Sequence, residues 1–564
     1  MNKRIKVLRN KFKKYKIDGY VIPKNDDYFT EYSKINRLKT ISNFSGSAGL
    51  AIILKNKNYL FTDGRYTIQS QIESGKNFKI ISYEKIINCN LFKNLTLGID
   101  PKLITNNQIK NYFLKKNKIK LINNNLIDEI KSEKIKDGYP FFSLSKNIVG
   151  ESYKSKVNKI SKYLKKNNSD YLFVSAPENV AWILNIRGGD GPNSPVPNSR
   201  LIISKTKKIL LITKIQKVKK LIKEKLIKSN ELIDINNFQD RVHKLKGNSF
   251  IIDEKSCSIY FENIIKHKFK IIKREDPTYL LKAIKNKTEI KNMINAHISD
   301  GAALTKFIYW IKNINKKQIN EVQAQNKLES FRKLNKNYLY PSFDTIAGSG
   351  KNAAIVHYRA KIKDCRKIKK KDIFLCDSGG QYKYGTTDVT RTICFSKPKK
   401  HIKNIFTKVL KGHIAVLNTD LKRDNIGKKI DSRARKFLKK SNLDYPHGTG
   451  HGVGFFLNVH EGPQSISKFN KVKIQEGMIL SNEPGYYKKD QFGIRIENLV
   501  FVKKINKNIF FRNLTLVPIE KELINYNLLS SFEKNYLFKY HLDVYSKISK
   551  YLSLKEKKWL ANCI

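Results

Sequence analysis

The sequence predicts a multidomain chain of the α/β and α+β classes: two α/β domains in tandem, then an α+β domain, then a helical C-terminal extension. Three observations carry this. The chain has 564 residues, too many for one hydrophobic core and enough for several domains. Strands alternating with helices run through residues 1–135 and again through 152–280, the pattern of two related α/β domains. From residue 281 the pattern changes to two long helices followed by strands with short turns, and residues 506–564 form the tail.

The first domain opens on Met1 to Tyr15, a charged, amphipathic helical stretch without the apolar segment of a secretory signal. Asp18 to Pro23 is the first strand, and Phe44 to Leu54 is a glycine turn running into a buried strand. Tyr59 to Tyr66 is a strand ending at an Asp-Gly turn, and Leu97 to Pro101 closes a further strand. The Lys-, Gly- and Ser-rich stretch from about Ser132 to Tyr153 reads as a linker. In the second domain a helix ends at Tyr163 to Asn167 and a strand runs from Tyr171 to Ser175. Asn179 to Asp190 leads into a Pro-rich loop, and Leu201–Ser204 pairs with Ile209–Thr213. In the third region Lys287 to Lys312 and Gln318 to Leu334 have helical periodicity. The tail reads as amphipathic helix with Leu528, Leu529, Phe532, Tyr536, Leu537, Tyr540 and Trp559 as its apolar positions.

Composition narrows the function classes. Hydrophobic content of 40% and aromatic content of 11% describe a globular chain. No apolar run reaches the roughly 18 residues of a membrane span, so the expectation is a cytoplasmic protein with no membrane partner. The six cysteines (89, 257, 365, 376, 394 and 563) lack any CxxC spacing, so they read as reduced core thiols. The formal net charge of +64 would by itself suggest nucleic acid. The surplus is mostly Lys spread over the whole chain beside abundant Asn and Ile, a drift towards A- and T-rich codons. No basic patch with interleaved aromatics or reader motif stands out, so no specific nucleic-acid partner is expected.

The chemistry-bearing residues collect in the third region. An apolar strand, Ile373 to Cys376, ends on Asp377; a turn at Gly379-Gly380 follows, and the chain returns as a β-branched strand carrying Asp388. Two carboxylates brought side by side repel unless a cation sits between them; the plain alternative is a hairpin with two solvated turn aspartates. His357 lies in Ala353-Ala-Ile-Val-His-Tyr358. His447, His451 and His460 lie within fourteen positions of a glycine-rich run, where small residues let the backbone come close to whatever the histidines touch. Glu483 ends an apolar strand before Pro484-Gly485, and Glu497 sits among apolar residues of the strand Gly493 to Phe501. A carboxylate in such a run needs a partner, and for Glu497 an Arg495 pair is the simple alternative. Asp377, Asp388, His451, Glu483 and Glu497 together carry more negative charge than one divalent ion neutralises. Oxygen-rich ligation with one imidazole suits two Mn²⁺-like ions sharing carboxylates and a water.

The ordered set Asp377-Ser-Gly, Thr386-Thr-Asp-Val-Thr-Arg-Thr392, His447-Gly-Thr-Gly-His-Gly-Val-Gly454, Asn482-Glu-Pro-Gly-Tyr-Tyr487 and Gly493-Ile-Arg-Ile-Glu-Asn498 resembles the pita-bread metallopeptidases. Within them it is similar to the long, three-domain Xaa-Pro aminopeptidases. Phe44 to Gly49, Thr62 to Tyr66 and Gly98 to Pro101 resemble that family's N-terminal domain, Trp182 to Asp190 its middle domain, and Leu514 to Leu560 its C-terminal extension. The resemblance implies two creatinase-like α/β domains at 1–135 and 152–280, a pita-bread catalytic domain at 281–505 and an extension at 506–564. It implies Asp377, Asp388, His451, Glu483 and Glu497 as metal ligands, with Asp388 and Glu497 bridging. His357 and His460 would hold substrate and the transition-state oxygen, and Glu483 would pass a proton to the leaving nitrogen. Arg65, His447, His451, Tyr487 and Arg495 match further substrate-binding or supporting positions. The implied reaction is hydrolysis of the bond between an N-terminal residue and proline, in a protein that is commonly a homodimer. A dipeptidase of the same fold, a non-catalytic module of that fold and a basic RNA-associated protein are the alternatives.

Overall fold

The computed structural model describes residues 1–87, 89–114, 116–131, 138–315 and 319–564. The chain forms two compact units, Met1–Tyr279 and Leu280–Ile564.

The first unit is built on two six-stranded sheets. The first contains β1 (Gly19–Pro23), β2 (Leu50–Leu54), β3 (Asn58–Thr62), β4 (Lys79–Ser82), β5 (Thr96–Ile99) and β6 (Lys118–Leu121), in the order β4-β3-β2-β1-β5-β6. Helices cover both faces, so the central strands are apolar at consecutive positions. Tyr20, Ile22, Ala51 and Ile53 pack on one side while Val21, Leu50 and Ile52 pack on the other. The second sheet contains β7 (Tyr171–Val174), β8 (Arg200–Ser204), β9 (Ile209–Thr213), β10 (Leu232–Asp234), β11 (Ser249–Ile252) and β12 (Lys270–Lys273), in the order β10-β9-β8-β7-β11-β12. Matched position by position, the two sheets have the same order and the same mix of parallel and antiparallel pairs. The expected tandem repeat is therefore a repeat of topology. The Asp63-Gly64 turn does not open a hairpin, because β3 pairs with β4 in parallel and a parallel pair needs a crossover. Asp63 instead caps the short helix Gly64–Tyr66, accepting from the Arg65 amide at 3.0 Å.

The second unit starts with the helix Lys287–Asn313, whose Asn286 and Glu289 form a capping box. The next helix is Glu321–Lys333; the expected start at Gln318 lies outside the described residues. Three antiparallel strands follow: β13 (Ile346–Ser349), β14 (Ile373–Ser378) and β15 (Val389–Cys394). β14 and β15 are not joined by a turn at Gly379-Gly380 as expected. Gly380–Tyr382 continues as a short strand paired with Gly385–Thr386 and Tyr338–Pro341. Gly379 is needed for packing: a Cβ there would lie 1.9 Å from the Thr387 carbonyl oxygen. A five-stranded sheet then places Glu461–Ile466, β16 (Gly450–Gly452), β17 (Ile479–Asn482), β19 (Asn498–Ile505) and β20 (Asn508–Asn513) side by side, while β18 (Phe492–Arg495) pairs with Gly485–Lys488. The expected single strand Gly493–Phe501 is thus two strands, and Glu497 sits in the break between β18 and β19.

The tail differs from the expected all-helical extension, since it opens with β20. Its helices are Ser531–Ile548 and Leu554–Ala561. Leu529, Leu537 and Tyr540 are buried, whereas Leu528 and Phe532 are exposed at 40% and 59%, on the face turned from the core. Among the described residues no helix is long and apolar enough to cross a membrane. All six cysteines are free, and four of them (89, 257, 376 and 394) are buried.

His541 on the tail helix gives a pH prediction. Its Nε2 accepts from the Ile519 amide at 3.0 Å, and burial lowers its pKa from 6.5 to about 4, with Arg391 adding to the shift. Between these values the unfolded chain binds a proton that the folded chain refuses, so stability falls as pH drops through this window and is fully present above 6.5. Urea midpoints measured from pH 7 to pH 4 should decline, with a shallower slope in His541→Gln. An unchanged slope in that variant would refute the assignment.

Candidate active site

Five chain segments carry the candidate site. Asp377 lies on β14, and Asp388 directly precedes β15. His451 lies on β16, Glu483 follows β17 and Glu497 occupies the β18–β19 break. One ligand atom each from Asp388, His451 and Glu497 lie within 4.8 Å of one another. His451 Nε2 is 3.5 Å from both Asp388 Oδ2 and Glu483 Oε1. Glu497 Oε2 accepts from Thr390 Oγ1 at 2.7 Å, and the Glu497 amide donates to the Thr390 carbonyl at 3.1 Å. The break in the strand is what lets Glu497 turn towards β15.

Arg495 does not pair with Glu497. Its Nη2 donates to Asp377 Oδ2 at 2.6 Å and its Nη1 to the Tyr487 hydroxyl at 2.6 Å. The Tyr487 oxygen is also 2.8 Å from His447 Nε2. The three expected supporting residues therefore form one chain, His447–Tyr487–Arg495, ending on Asp377. The His460 ring lies 4.2 Å from that of His451, centroid to centroid. His357 follows Val356, whose carbonyl accepts from Arg495 Nη2 at 3.4 Å. Arg65 belongs to the first unit, where it donates to both carboxylate oxygens of Asp63 at 3.0 and 2.7 Å and lies over the Tyr66 ring.

The electrostatics of this cluster demand a cation. Burial, then Asp377 and Glu483, push the Asp388 carboxyl far above its usual range; burial, then Asp388 and Glu483, do the same to Glu497. Burial also raises Asp377 despite Arg495. Burial favours neutral Glu483 too, but His451 and Arg495 hold it below the usual range. Burial lowers His447 to about 4, so at neutral pH it is uncharged and supplies no compensation. Two buried carboxylate oxygens, Asp377 Oδ1 and Asp388 Oδ1, have no hydrogen-bond partner, although such atoms are costly to leave unpaired. Four carboxylates and one imidazole, with two buried oxygens lacking a hydrogen-bond partner, fit a pair of hard divalent ions.

The structure adds a supporting apparatus that the sequence did not reveal. Arg332 on the helix Glu321–Lys333 donates to Asp300 at 2.7 and 3.3 Å and to Ser378 Oγ at 3.0 Å, beside Asp377. Thr449 Oγ1 donates to Asp431 at 2.6 Å, and the Thr449 carbonyl accepts from the Glu483 amide at 2.8 Å. Buried Glu321 accepts from the Ser349 amide at 2.7 Å and from the Tyr358 hydroxyl at 2.7 Å, bracing the loop that carries His357. Glu461, next to His460, is clamped by Lys282 Nζ at 2.7 Å and by Lys285 Nζ, all three side chains being at most 3% exposed. In the sequence Asp300, Glu321, Arg332 and Asp431 are ordinary charged residues in a Lys-rich chain, whereas Ser378, Thr449 and Glu461 lie within or beside the histidine and aspartate runs.

Comparison with known proteins agrees with this arrangement. The model of metallopeptidase family M24 matches residues 291–504, and that of the C-terminal region of peptidase M24 matches 508–564. The creatinase/prolidase N-terminal domain matches twice, at 4–127 and 133–289. The chain is 36% identical to a probable Xaa-Pro aminopeptidase P of Laccaria bicolor, over 99% of this chain and 92% of that one. It is 35% identical to Xaa-Pro aminopeptidase 1 of Dictyostelium discoideum, over 100% and 96%. Among solved structures, the X-prolyl aminopeptidase of Caenorhabditis elegans, described as a cytosolic enzyme with a di-nuclear active site, superposes with a TM-score of 0.92 at 28% identity, covering 100% of this chain and 99% of that one. The fold is therefore two creatinase-like domains, a pita-bread domain and a C-terminal region.

Proposed function

Because this chain belongs to metallopeptidase family M24, alongside the Xaa-Pro aminopeptidases, we propose that it releases the N-terminal residue from peptides whose second residue is proline. The observation that carries this is the convergence of Asp377, Asp388, His451, Glu483 and Glu497, with orphaned carboxylate oxygens, in a chain matched end to end by such aminopeptidases. These five residues would hold two divalent ions, with Asp388 and Glu497 serving as ligands to both. Oxygen-rich ligation favours Mn²⁺. When bound, the ions supply an activated water at neutral pH and polarise the scissile carbonyl.

The remaining roles belong to the side chains. His357 and His460 donate to the carbonyl oxygen as negative charge develops on it. Glu483, held below the usual carboxylate range by His451 and Arg495 against its burial, takes a proton and delivers it to the proline nitrogen as the bond breaks. Arg495 fixes Asp377 and, through Tyr487, keeps neutral His447 oriented. Arg65 is the substrate-contacting residue assigned to the first unit. The proposed domain limits are 1–135, 152–280, 281–505 and 506–564. The setting is cytoplasmic, as the C. elegans relative is described. The assembly is a homodimer, testable by sedimentation for a species of twice 65.5 kDa.

The test is hydrolysis of Arg-Pro-Pro by metal-stripped protein with and without Mn²⁺. Release of free arginine only when metal is added is expected; folded protein inert with every divalent ion would refute the proposal. A prolidase-type dipeptidase is the competing reading. Pyrococcus horikoshii prolidase superposes with a TM-score of 0.52 at 27% identity, but over only 65% of this chain. Cleavage of Xaa-Pro dipeptides with the tripeptide left intact would favour it.

A further inference from the structure

Arg391 is 1% exposed, and its guanidinium touches no carboxylate. All its acceptors are neutral. Nη1 donates to the Thr390 carbonyl at 2.8 Å and to the Glu497 carbonyl at 2.7 Å. Nη2 donates to Asn498 Oδ1 at 2.8 Å, the Val517 carbonyl at 2.8 Å and the Tyr540 hydroxyl at 2.9 Å, and Nε to the Pro518 carbonyl at 3.0 Å. Burying a cation without a counter-ion is costly, so the gain must come from geometry. A planar fork of five N–H groups can bind several backbone segments at once, which an ammonium cannot.

The segments it binds are specific. On one side are Thr390 and Glu497, which already grip each other by a backbone and a side-chain hydrogen bond. Asp388 lies two residues before Thr390. On the other side are Val517, Pro518 and Tyr540, all in the C-terminal region. Tyr540 closes the clamp from behind, its hydroxyl donating to the Val517 carbonyl at 2.8 Å.

We infer that Arg391 is a positioning residue through which the C-terminal region sets the separation of the Asp388 and Glu497 carboxylates. The C-terminal region thereby governs how tightly the site holds its ions, in addition to stabilising the fold. This rests on the ligand assignment proposed above. Supporting contacts of this kind are worth about 10–100-fold in metal affinity.

The experiment measures Mn²⁺ affinity by chelator competition and records the visible spectrum of the Co²⁺-loaded full-length chain for four proteins: unaltered, Arg391→Lys, Tyr540→Phe and Leu523→Ala. Leu523 is a fully buried residue of the C-terminal region that does not bond to the clamp, so its variant reports loss of stability alone. Expected are affinities reduced ~10–100-fold in Arg391→Lys and severalfold in Tyr540→Phe, with altered Co²⁺ bands. Leu523→Ala should melt earlier with unchanged affinity and spectrum. If Arg391→Lys does not fold, Tyr540→Phe, which removes one hydroxyl, decides the matter. Unchanged affinity and spectrum in the clamp variants, or equal weakening in Leu523→Ala, would overturn the inference alone. Failure of the unaltered chain to bind any divalent ion would overturn the ligand assignment and this inference with it.

Discussion

Asp388→Asn should abolish peptide release while leaving the metal-free protein at least as stable as before. The two halves of this result have one cause. Asp388 is pushed far above the usual carboxylate range by burial and by Asp377 and Glu483. A carboxyl that binds its proton more tightly folded than unfolded lowers stability as pH rises past its unfolded value, so at neutral pH its charge opposes folding when no ion is present. Asparagine keeps the shape and removes the charge. With metal the balance reverses, because the lost oxygen anion belongs to a proposed ligand of the ions. A loss of at least ~10³-fold in kcat/KM is expected, about 4 kcal/mol of transition-state stabilisation. Calorimetry of the chelator-treated proteins and tripeptide kinetics with added Mn²⁺ test both halves. Retention of a tenth of the activity, or a metal-free variant that melts well below the unaltered chain, would remove Asp388 from the site.

The second large effect concerns Asp300 and Arg332, a pair that touches no proposed ligand. Both side chains are at most 3% exposed. Burial favours the neutral acid, yet Arg332 and the Tyr382 hydroxyl, 2.8 Å from Oδ1, hold Asp300 below its usual range. Asp300→Ala strands a buried guanidinium and should cost about 3–5 kcal/mol. Joint replacement, Asp300→Leu with Arg332→Met, should recover most of it, since two apolar side chains leave no charge unpaired. The double variant should still lose activity: Arg332 also holds Ser378 Oγ, the neighbour of Asp377. Melting temperatures of the three proteins and kcat for the double variant check this. A double variant as unstable as Asp300→Ala would show that the pair's charge is not what matters.

The candidate ligand positions and the class of the fold were readable in the sequence for a physical reason. A carboxylate at the end of an apolar strand is expensive, so Asp377, Glu483 and Glu497 stand out against the runs they interrupt. The repeated α/β grammar was legible because both sheets bury consecutive apolar residues. What failed was local connectivity. Gly379-Gly380 looked like a hairpin turn because glycine is a turn residue, whereas Gly379 is there to let the Thr387 carbonyl approach. The break at Glu497 was invisible because Ile494, Ile496, Leu499, Val500 and Phe501 keep the run rich in strand-forming apolar residues on both sides of it. The supporting roles of Arg332 and of Arg391, the latter inside a motif, could not be read from pattern: Arg332 bonds to Asp300 and Arg391 to Tyr540, 32 and 149 positions away, and only the fold brings them together.

The clamp on Glu461 bears on how this sequence can change. The chain carries 112 basic against 48 acidic residues, and most exposed lysines can be gained or lost at almost no energetic cost. Lys282 and Lys285 have no such freedom. Losing either leaves Glu461 underpaired in the interior, and losing Glu461 alone leaves two ammonium groups buried against each other. Single steps away from this arrangement pass through a less stable protein, so the three positions are inherited as a block. Two lysines that look like products of compositional drift are among the least replaceable in the chain.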